Sequence, residues 1–225
     1  MAVLNIAIDG PAGAGKSTIA KAVAAKLGFI YIDTGAMYRA VGLGVVRRGI
    51  DTTDVEGVAS ILDELKRTLR HTELGQLIFL NGEDVSEAIR MPEISVAASN
   101  VAVIPAVRLK LVELQRELAL NDKVIMDGRD IGTYVLPNAQ LKIFLTAAPE
   151  ARAQRRFLEL SEKGVQTTFE EVFADMTYRD KNDSGRDFAP LKPAEDSVMV
   201  DSTELTLSQT VEKITAMAES ARINQ

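Results

Sequence analysis

The stretch Gly10-Pro11-Ala12-Gly13-Ala14-Gly15-Lys16-Ser17 decides how this chain folds. It follows an apolar run, residues 2–9, that is typical of a buried parallel strand. It precedes an alanine-rich helical pattern, residues 18–27, that ends at Gly28. This is the context that the phosphate-binding pattern G-x-x-x-x-G-K-[ST] requires. Glycines let successive N–H groups turn toward an anion, Lys16 would reach the β- and γ-phosphates, and the Ser17 hydroxyl would bind Mg²⁺. The sequence therefore predicts a loop that binds a nucleoside triphosphate rather than a glycine-rich turn without a ligand.

The composition indicates one globular α/β domain. The 225 residues, 46% of them hydrophobic, are enough for a full core, and the absence of cysteine excludes disulfides and thiolate metal sites. The net charge of −6 and the pI near 5.0 argue against a nucleic-acid-binding surface, which is normally basic. No apolar run approaches the ~18 residues of a membrane span, and no basic signal-peptide segment is evident. We therefore expect a cytoplasmic protein without membrane or nucleic-acid partners.

Four further apolar runs predict buried strands, at residues 29–33, 123–127, 141–146 and 197–201. Helical patterns lie between them, so we predict a doubly wound, five-stranded parallel sheet that binds its ligands at the carboxyl ends of the strands. Three of the strands end in aspartate, at Asp9, Asp33 and Asp127. We expect these carboxylates at the ligand edge of the sheet.

The alternation breaks between residues 51 and 105. Residues 55–69 predict a helix, and residues 76–80 followed by Asn81-Gly82 predict a strand entering a hairpin turn, with Val85 on its return. We interpret 51–105 as a small β-containing acceptor insertion in one domain, whose core comprises 1–50, 106–150 and 187–225. Further helices are predicted at 92–103, 106–120, 150–163, 169–181 and 207–223. Residues 151–186 would form a helical lid, in which 183–185 are expected to be mobile.

A phosphate-binding loop alone does not separate kinases from GTPases, motor ATPases or regulatory switches. The chain lacks the Asn-Lys-x-Asp segment that reads guanine, whereas arginines follow two strands, at Arg39 and Arg129. A guanidinium donates two parallel hydrogen bonds to a phosphate, which favours a phosphate-binding role. A surface salt bridge is the alternative for any single arginine, because residues 150–186 hold seven basic and eight acidic side chains. Further candidates are Arg152, Arg155 and Arg156 on one predicted helix, and Arg179, Asp183 and Arg186 on one face of the next.

Four segments stand out by their residue types and order: residues 10–17, Asp33-Thr34-Gly35-Ala36-Met37-Tyr38-Arg39, Asp127-Gly128-Arg129-Asp130-Ile131-Gly132-Thr133, and the set Arg179, Asp180, Asp183 and Arg186. Together they resemble the bacterial cytidylate kinase (CMP kinase) family and follow its order over essentially the whole chain. The glycine loop is generic, but the other three segments are much more specific, and the insertion also matches the enlarged acceptor-nucleotide domain of the bacterial enzymes.

The resemblance implies a role for each matching residue. Arg39 and Arg129 would hold the acceptor's α-phosphate, with Thr34 nearby. Ser99, Arg108 and Asp130 would read the cytosine base, although the pattern alone makes Ser99 and Arg108 surface residues. Arg179 and Asp183 would contact the sugar, and Arg186 the base or the phosphate. Catalysis would depend on Lys16, Arg129 and Arg179, and Ser17 would bind the metal. The implied ATP-binding residues are Gly10, Pro11, Ala12, Gly13, Ala14, Gly15, Lys16, Ser17, Thr18 and Arg155.

We therefore predict a monomeric kinase that uses ATP and Mg²⁺ to phosphorylate CMP and dCMP. A phosphate acceptor is already an anion and needs no general base, which agrees with the presence of a single histidine, His71, more often structural than catalytic. One alternative is a kinase of the same fold for UMP, AMP or shikimate. Another is a nucleotide-dependent switch, which gives no reason for arginines at two strand ends. A structural scaffold would leave Lys16-Ser17 unexplained.

Overall fold

The computed structural model describes residues 4–72 and 75–223, apart from the side chains of His71, Arg222 and Ile223. Residues 2–3 of the predicted first strand and the side chain of the lone histidine lie outside this described part. The chain forms two compact units. Unit 1 is the chain up to Tyr31 and from Asn121 onward, and unit 2 is Ile32–Leu120.

Strands and helices follow one another in the order that the sequence predicts, with one additional strand. They are β1 (Ile6–Asp9), α1 (Lys16–Leu27), β2 (Ile30–Asp33), α2 (Thr34–Arg47), α3 (Val55–Ile61), β3 (Arg67–Thr72), β4 (Gly75–Leu80), β5 (Glu83–Asp84), α4 (Pro92–Val101), α5 (Pro105–Leu118), β6 (Val124–Gly128), β7 (Leu141–Thr146), α6 (Pro149–Glu162), α7 (Phe169–Ser184), β8 (Val198–Asp201) and α8 (Leu207–Ile223). A 3₁₀ turn spans Ala88–Arg90, and a π-helical turn spans Ile131–Val135.

The predicted five-stranded parallel sheet is confirmed, with the strand order β2-β6-β1-β7-β8. Strands β1 and β6 are continuous apolar runs, and every residue in both is buried. Their register pairs Ile8 with Asp127 and Asp9 with Gly128, so both strands end at the same edge of the sheet. On one face of unit 1, α1 and α8 pack against the sheet through a core that includes Ile6, Ile19 and Ile214. This edge therefore carries the glycine loop after β1 and the Gly128-Arg129 segment after β6.

Unit 2 combines helices with a small antiparallel sheet of order β3-β4-β5. Its core joins α2, α4 and α5 to the inner face of that sheet, for example through Met37, Val101 and Ile78. The predicted hairpin is confirmed, because Asn81 and Gly82 form a two-residue turn with φ values of 52° and 87°. Two successive positive φ values are the requirement of the type I′ turn that Asn-Gly favours.

The predicted helix at residues 55–69 is wrong in its second half. Helix α3 ends at Ile61, and Arg67–Thr72 forms β3 instead, pairing antiparallel with β4 so that Leu69 lies opposite Ile78. The β-branched Thr68 and Thr72 suit a strand, and the Arg70 guanidinium lies 4.5 Å from the centre of the Phe79 ring. Pairing with a strand that comes later in the chain therefore overrides the helical pattern.

Residues 183–185, which the sequence analysis expects to be mobile, form the end of helix α7 and its C-terminal cap. Helix α7 continues to Ser184, and the Asp183 side chain is buried and bonded to Arg129. The remaining predicted helices are confirmed with ends shifted by a few residues at most. The division into core, insertion and lid is a functional one and stays a prediction.

The helices were also compared with the requirements of a membrane span. Within the described residues, no single helix is both long and apolar enough to cross a bilayer. Helices α4 and α5 meet the length and composition requirement only as a pair, and they are bent by 99° at the break between them.

Candidate functional site

The glycine loop of unit 1 has the backbone geometry of an anion-binding nest. Gly10, Gly13 and Gly15 have φ values of 151°, 70° and 84°, and a Cβ on Gly10 would lie 1.9 Å from the Leu145 carbonyl oxygen. Gly15 is the N-terminal cap of α1, and no side chain caps that terminus within the described residues. The first N–H groups of α1 and its partial positive charge are therefore available to an anion.

Lys16 is held within this loop. Its side chain is buried, and its Nζ donates to the Pro11 carbonyl oxygen at 2.7 Å. Burial, followed by repulsion from Arg129, lowers the pKa of Lys16 well below its ordinary value. A phosphate bound in this loop would stabilise the charged form of Lys16, because it supplies the negative charge that the loop lacks.

Asp127, at the end of β6, accepts two side-chain hydrogen bonds. Ser17 Oγ donates to its Oδ2 and the Tyr31 hydroxyl to its Oδ1, each at 2.9 Å. Hydroxyl and carboxylate oxygens are the ligand types that Mg²⁺ prefers, so Ser17 and Asp127 fit a Mg²⁺ ion bound with a nucleotide. In the described residues, no group of three or more His, Cys, Asp or Glu side chains could hold a metal alone. A Mg²⁺ ion bound mainly by phosphates and water does not need such a group.

Arg129 and α7 form a cluster of arginines around one carboxylate. Arg129 Nε donates to Asp183 Oδ2 at 2.6 Å, and both side chains are largely buried. Burial acts to raise the pKa of Asp183, but the positive charges of Arg129, Arg186 and Arg179 outweigh it and hold that pKa below its ordinary value. The structure therefore brings together four of the predicted site residues of unit 1.

Asp9, at the end of β1, is bonded to the turn that follows β6. Its two carboxylate oxygens accept from the N–H groups of Ile131 and Gly132 at 2.8 and 2.7 Å. Burial raises the pKa of Asp9 to about 7, although these two hydrogen bonds act to lower it. Asp130, which the resemblance assigns to the base, directly precedes that turn and is also buried. The carboxylate thus connects the glycine loop to the Arg129-Asp130 segment.

The raised pKa of Asp9 predicts a pH dependence of stability. Because its folded-state pKa lies above the ordinary value near 4, the folded protein binds the extra proton, and the stability that this group contributes falls as the pH rises from about 4 to about 7. Asp9→Asn removes the titration. Urea unfolding at pH 5 and pH 8 should show the wild type losing about 2 kcal/mol relative to Asp9→Asn. If the free energies of unfolding of the wild type and Asp9→Asn change equally between pH 5 and pH 8, the Asp9 carboxylate is ionised throughout this range.

Arg155 and Arg156, on α6, occupy different surroundings from each other. Arg155 donates to Ser202 Oγ and to the carbonyl oxygens of Ser202 and Thr203, at 3.1, 2.5 and 3.3 Å. Arg156 pairs with Glu159 on the same helix. Arg155 thus lies against the segment that follows β8, and Arg156 forms the surface salt bridge that the sequence left as an alternative.

In unit 2, the start of α2 is organised by Asp33. Its Oδ1 accepts from the Ala36 N–H at 2.8 Å and caps the helix, and its Oδ2 lies 3.1 Å from Arg90. Burial acts to raise the pKa of Asp33, but Arg90 and then Arg39 outweigh it and lower that pKa. Thr34, the first residue of α2, is buried beside them. Arg90 is a member of this group that the sequence analysis missed, since nothing in its 3₁₀ turn marks it.

The other two predicted residues of unit 2, Ser99 and Arg108, are buried, so the surface position that their pattern indicates is wrong. Arg108 has no exposed surface, and its guanidinium carbon lies 5.8 Å from the centre of the Tyr38 ring. Ser99 is 7% exposed, and its Oγ has no hydrogen-bond partner among the described residues. A buried hydroxyl without a partner is unusual and suggests a ligand that supplies one.

Comparisons with known proteins identify the family. The profile of the family described as Cytidylate kinase matches residues 6–220. A cytidylate kinase from Caldicellulosiruptor saccharolyticus is 53% identical over 214 residues, which are 95% of each chain. One from Desulfitobacterium hafniense is 51% identical over 95% of this chain and 92% of its own. A solved structure, of an uncharacterised protein from Eubacterium ventriosum, is similar in fold alone, with a TM-score of 0.54 and 12% identity over 96% of this chain and 99% of that one. This chain belongs to the cytidylate kinase family.

Proposed function

We propose that this protein transfers the γ-phosphoryl group of ATP to CMP and dCMP, with Mg²⁺, by direct in-line displacement. The observation that carries the proposal is the 53% identity to a cytidylate kinase over 95% of both chains. CMP phosphorylation follows from that family. The use of Mg²⁺, the acceptance of dCMP, and the action of a monomer in the cytoplasm without nucleic-acid or membrane partners are further parts of the proposal. The acidic pI near 5.0 supports the last of these.

Unit 1 would hold the donor and neutralise the charge that moves. The N–H groups of the glycine loop and Lys16 would bind the β- and γ-phosphates of ATP. Ser17 and Asp127 would hold Mg²⁺, which when bound neutralises phosphate charge. Arg129 and Arg179 would lie against the transferring group, with Arg155 near the donor nucleotide. The attacking oxygen belongs to a phosphate anion, so alignment and charge neutralisation suffice without a general base.

For the acceptor CMP, we propose recognition roles for residues of unit 2 and, separately, for residues of unit 1. In unit 2, we propose Thr34 and Arg39 for its phosphate and Ser99 and Arg108 for its base. In unit 1, we propose Asp130 for the base, Arg179 and Asp183 for the sugar, Arg129 for the phosphate and Arg186 for the base or phosphate. Cytosine offers N3 and O2 as acceptors and its amino group as a donor, so guanidinium and hydroxyl donors together with one carboxylate match it.

The proposed function is tested by measuring ADP formed from ATP and Mg²⁺ with CMP, dCMP, UMP, AMP or GMP as acceptor, and with none. We expect turnover that depends on CMP or dCMP and little hydrolysis without an acceptor. Turnover that ignores the acceptor would identify a nucleotide-dependent switch. A preference for another acceptor would contradict the roles of Ser99, Arg108 and Asp130 and leave the donor site in place.

Ser99 offers a test of base reading that does not disturb the fold. Its hydroxyl is buried without a partner in the described chain, so Ser99→Ala removes a desolvated polar atom and should leave the free energy of unfolding unchanged or higher. If the hydroxyl donates to cytosine, kcat/KM for CMP should fall about tenfold, the contribution of one hydrogen bond. Steady-state kinetics with CMP and UMP measure the change.

Ser95→Ala is the matched control, because Ser95 is buried one helical turn earlier on α4. It should leave the ratio of kcat/KM for CMP and UMP unchanged. An unchanged ratio in Ser99→Ala as well would remove Ser99 from the base site.

A further inference from the structure

Two side chains from α6 and α7, Arg152 and Asp180, close around Ala12 in the glycine loop. The Ala12 N–H donates to Asp180 Oδ1 at 3.0 Å, and Arg152 Nη1 donates to the Ala12 carbonyl oxygen at 2.7 Å. The same Nη1 lies 2.7 Å from Asp180 Oδ2. Each of the three groups therefore contacts the other two. We call Ala12, Arg152 and Asp180 the Ala12 clasp.

The clasp rests on a packed base. Arg152 is 6% exposed, and its Nε donates to the Ala147 carbonyl oxygen at 3.0 Å, so its guanidinium has a fixed direction. Ala12 is itself part of a hydrophobic cluster with residues of α6 and α7. A Cβ on Gly13 would lie 2.6 Å from Met176 Cε and 3.1 Å from the Arg152 carbonyl oxygen. The loop therefore packs directly against both helices.

The position of Asp180 on α7 links the clasp to the arginine cluster. Asp183 follows Asp180 by about one helical turn and holds Arg129, and Arg179 is the neighbour of Asp180. Lys16 experiences the charges of Arg129, Asp183 and Arg179. A shift of α7 relative to the loop would therefore move Arg179 and Asp183 together relative to Lys16.

The charge of Asp180 is balanced within the Ala12 clasp. A carboxylate beside an anion-binding loop would repel a nucleotide unless a cation neutralised it. Arg152 supplies that cation, with a charge-assisted hydrogen bond to Asp180. The clasp thus uses a carboxylate as a hydrogen-bond acceptor while keeping the local charge low.

We propose that Asp180 is a positioning residue for phosphoryl transfer, which holds the glycine loop and α7 at the spacing that aligns Lys16 with Arg179 and Asp183 of α7. It touches no reacting atom. This proposal rests on the proposed function, because the transfer whose geometry it controls is the one from ATP to CMP.

Asp180→Ala and Asp180→Asn separate the parts of the clasp. Alanine removes both contacts, whereas asparagine keeps an oxygen for the Ala12 N–H and loses the charge that pairs with Arg152. With CMP and ATP, we expect kcat to fall about a hundredfold in Asp180→Ala, the effect of a displacement of about 1 Å, and less in Asp180→Asn. KM for both substrates should change much less than kcat, since no residue proposed to contact a substrate is itself substituted. Hydrogen exchange of the Ala12 amide, followed by NMR in the nucleotide-free full chain, should be at least about tenfold faster in Asp180→Ala.

Asp175→Asn is the control, because Asp175 is an exposed carboxylate on the same helix. It should match the wild type in kcat and in Ala12 exchange. A merely structural role for Asp180 would lower the melting temperature and leave kcat unchanged below it, and this result would overturn the proposal. If the wild type shows no CMP-dependent turnover, the proposed function fails and Ala12 exchange decides the clasp. An unchanged exchange rate of the Ala12 amide in Asp180→Ala would then overturn the positioning role of Asp180.

Discussion

Lys16→Met is expected to lower kcat for CMP phosphorylation about a thousandfold, the range observed when a charge that stabilises a phosphoryl-transfer transition state is removed. The structure explains why the effect should fall on activity. Lys16 lies in the loop that begins α1, and its ammonium is buried with one hydrogen bond, to the Pro11 carbonyl oxygen. The lowered pKa of Lys16 means that keeping its ammonium charged costs the folded protein free energy.

The same reasoning predicts that Lys16→Met does not weaken the fold. Methionine has a similar volume and removes a charge that burial disfavours, so the free energy of unfolding should be unchanged or higher. Lys26→Ala, at an exposed position in the last turn of α1, is the control and should alter kcat by less than about twofold. Urea unfolding and steady-state kinetics give the two quantities. Loss of the fold with turnover retained in the folded fraction would contradict the role of Lys16 as a phosphate-binding residue.

The features that sequence predicts correctly here are local ones. The glycine loop, its preceding strand and its following helix are contiguous, and the positive φ values of Gly13 and Gly15 follow from the pattern that contains them. The Asn81-Gly82 hairpin is correct for the same reason, since two adjacent residues determine the turn. The buried parallel strands are recognisable because each is a short, uninterrupted apolar run.

The features that sequence missed depend on distant partners. Strand β3 forms because β4 is present to pair with it, and no residue within β3 encodes that partner. The bond from Ala12 to Asp180 joins positions 168 residues apart, and Arg90 reaches Asp33 from a turn without a recognisable motif. The unremarkable helical patterns around Ser99 and Arg108 predict surface positions, yet both residues are buried. A polar side chain inside a helix pattern is ambiguous until the packing around it is known.

Arg129→Met is expected to reduce both stability and activity, and a second substitution should separate the two effects. Arg129 forms a 2.6 Å ion pair with Asp183, whose side chain is 6% exposed. Removing Arg129 takes away the largest of the charges that stabilise the Asp183 carboxylate and leaves those of Arg186 and Arg179, so the unfolding free energy at pH 7 should fall by up to about 3 kcal/mol. Asp183 has a lowered pKa in the folded state, so its contribution is present above the ordinary value near 4 and is lost as the pH falls further. The stability difference between Arg129→Met and wild type should therefore shrink in acid.

The double variant Arg129→Met/Asp183→Asn decides what Arg129 does in the reaction. Neutralising Asp183 removes the buried charge that has lost its main partner, so the double variant should recover part of the stability that Arg129→Met loses. Its kcat should remain at least about a hundredfold below wild type if the Arg129 guanidinium acts on the transferring phosphoryl group as proposed. Urea unfolding and CMP-dependent ADP formation measure the two quantities on the same preparations. Recovery of kcat together with stability would show that Arg129 serves only to balance Asp183. Recovery of stability with a kcat well below that of Asp183→Asn alone assigns the Arg129 guanidinium to the reaction.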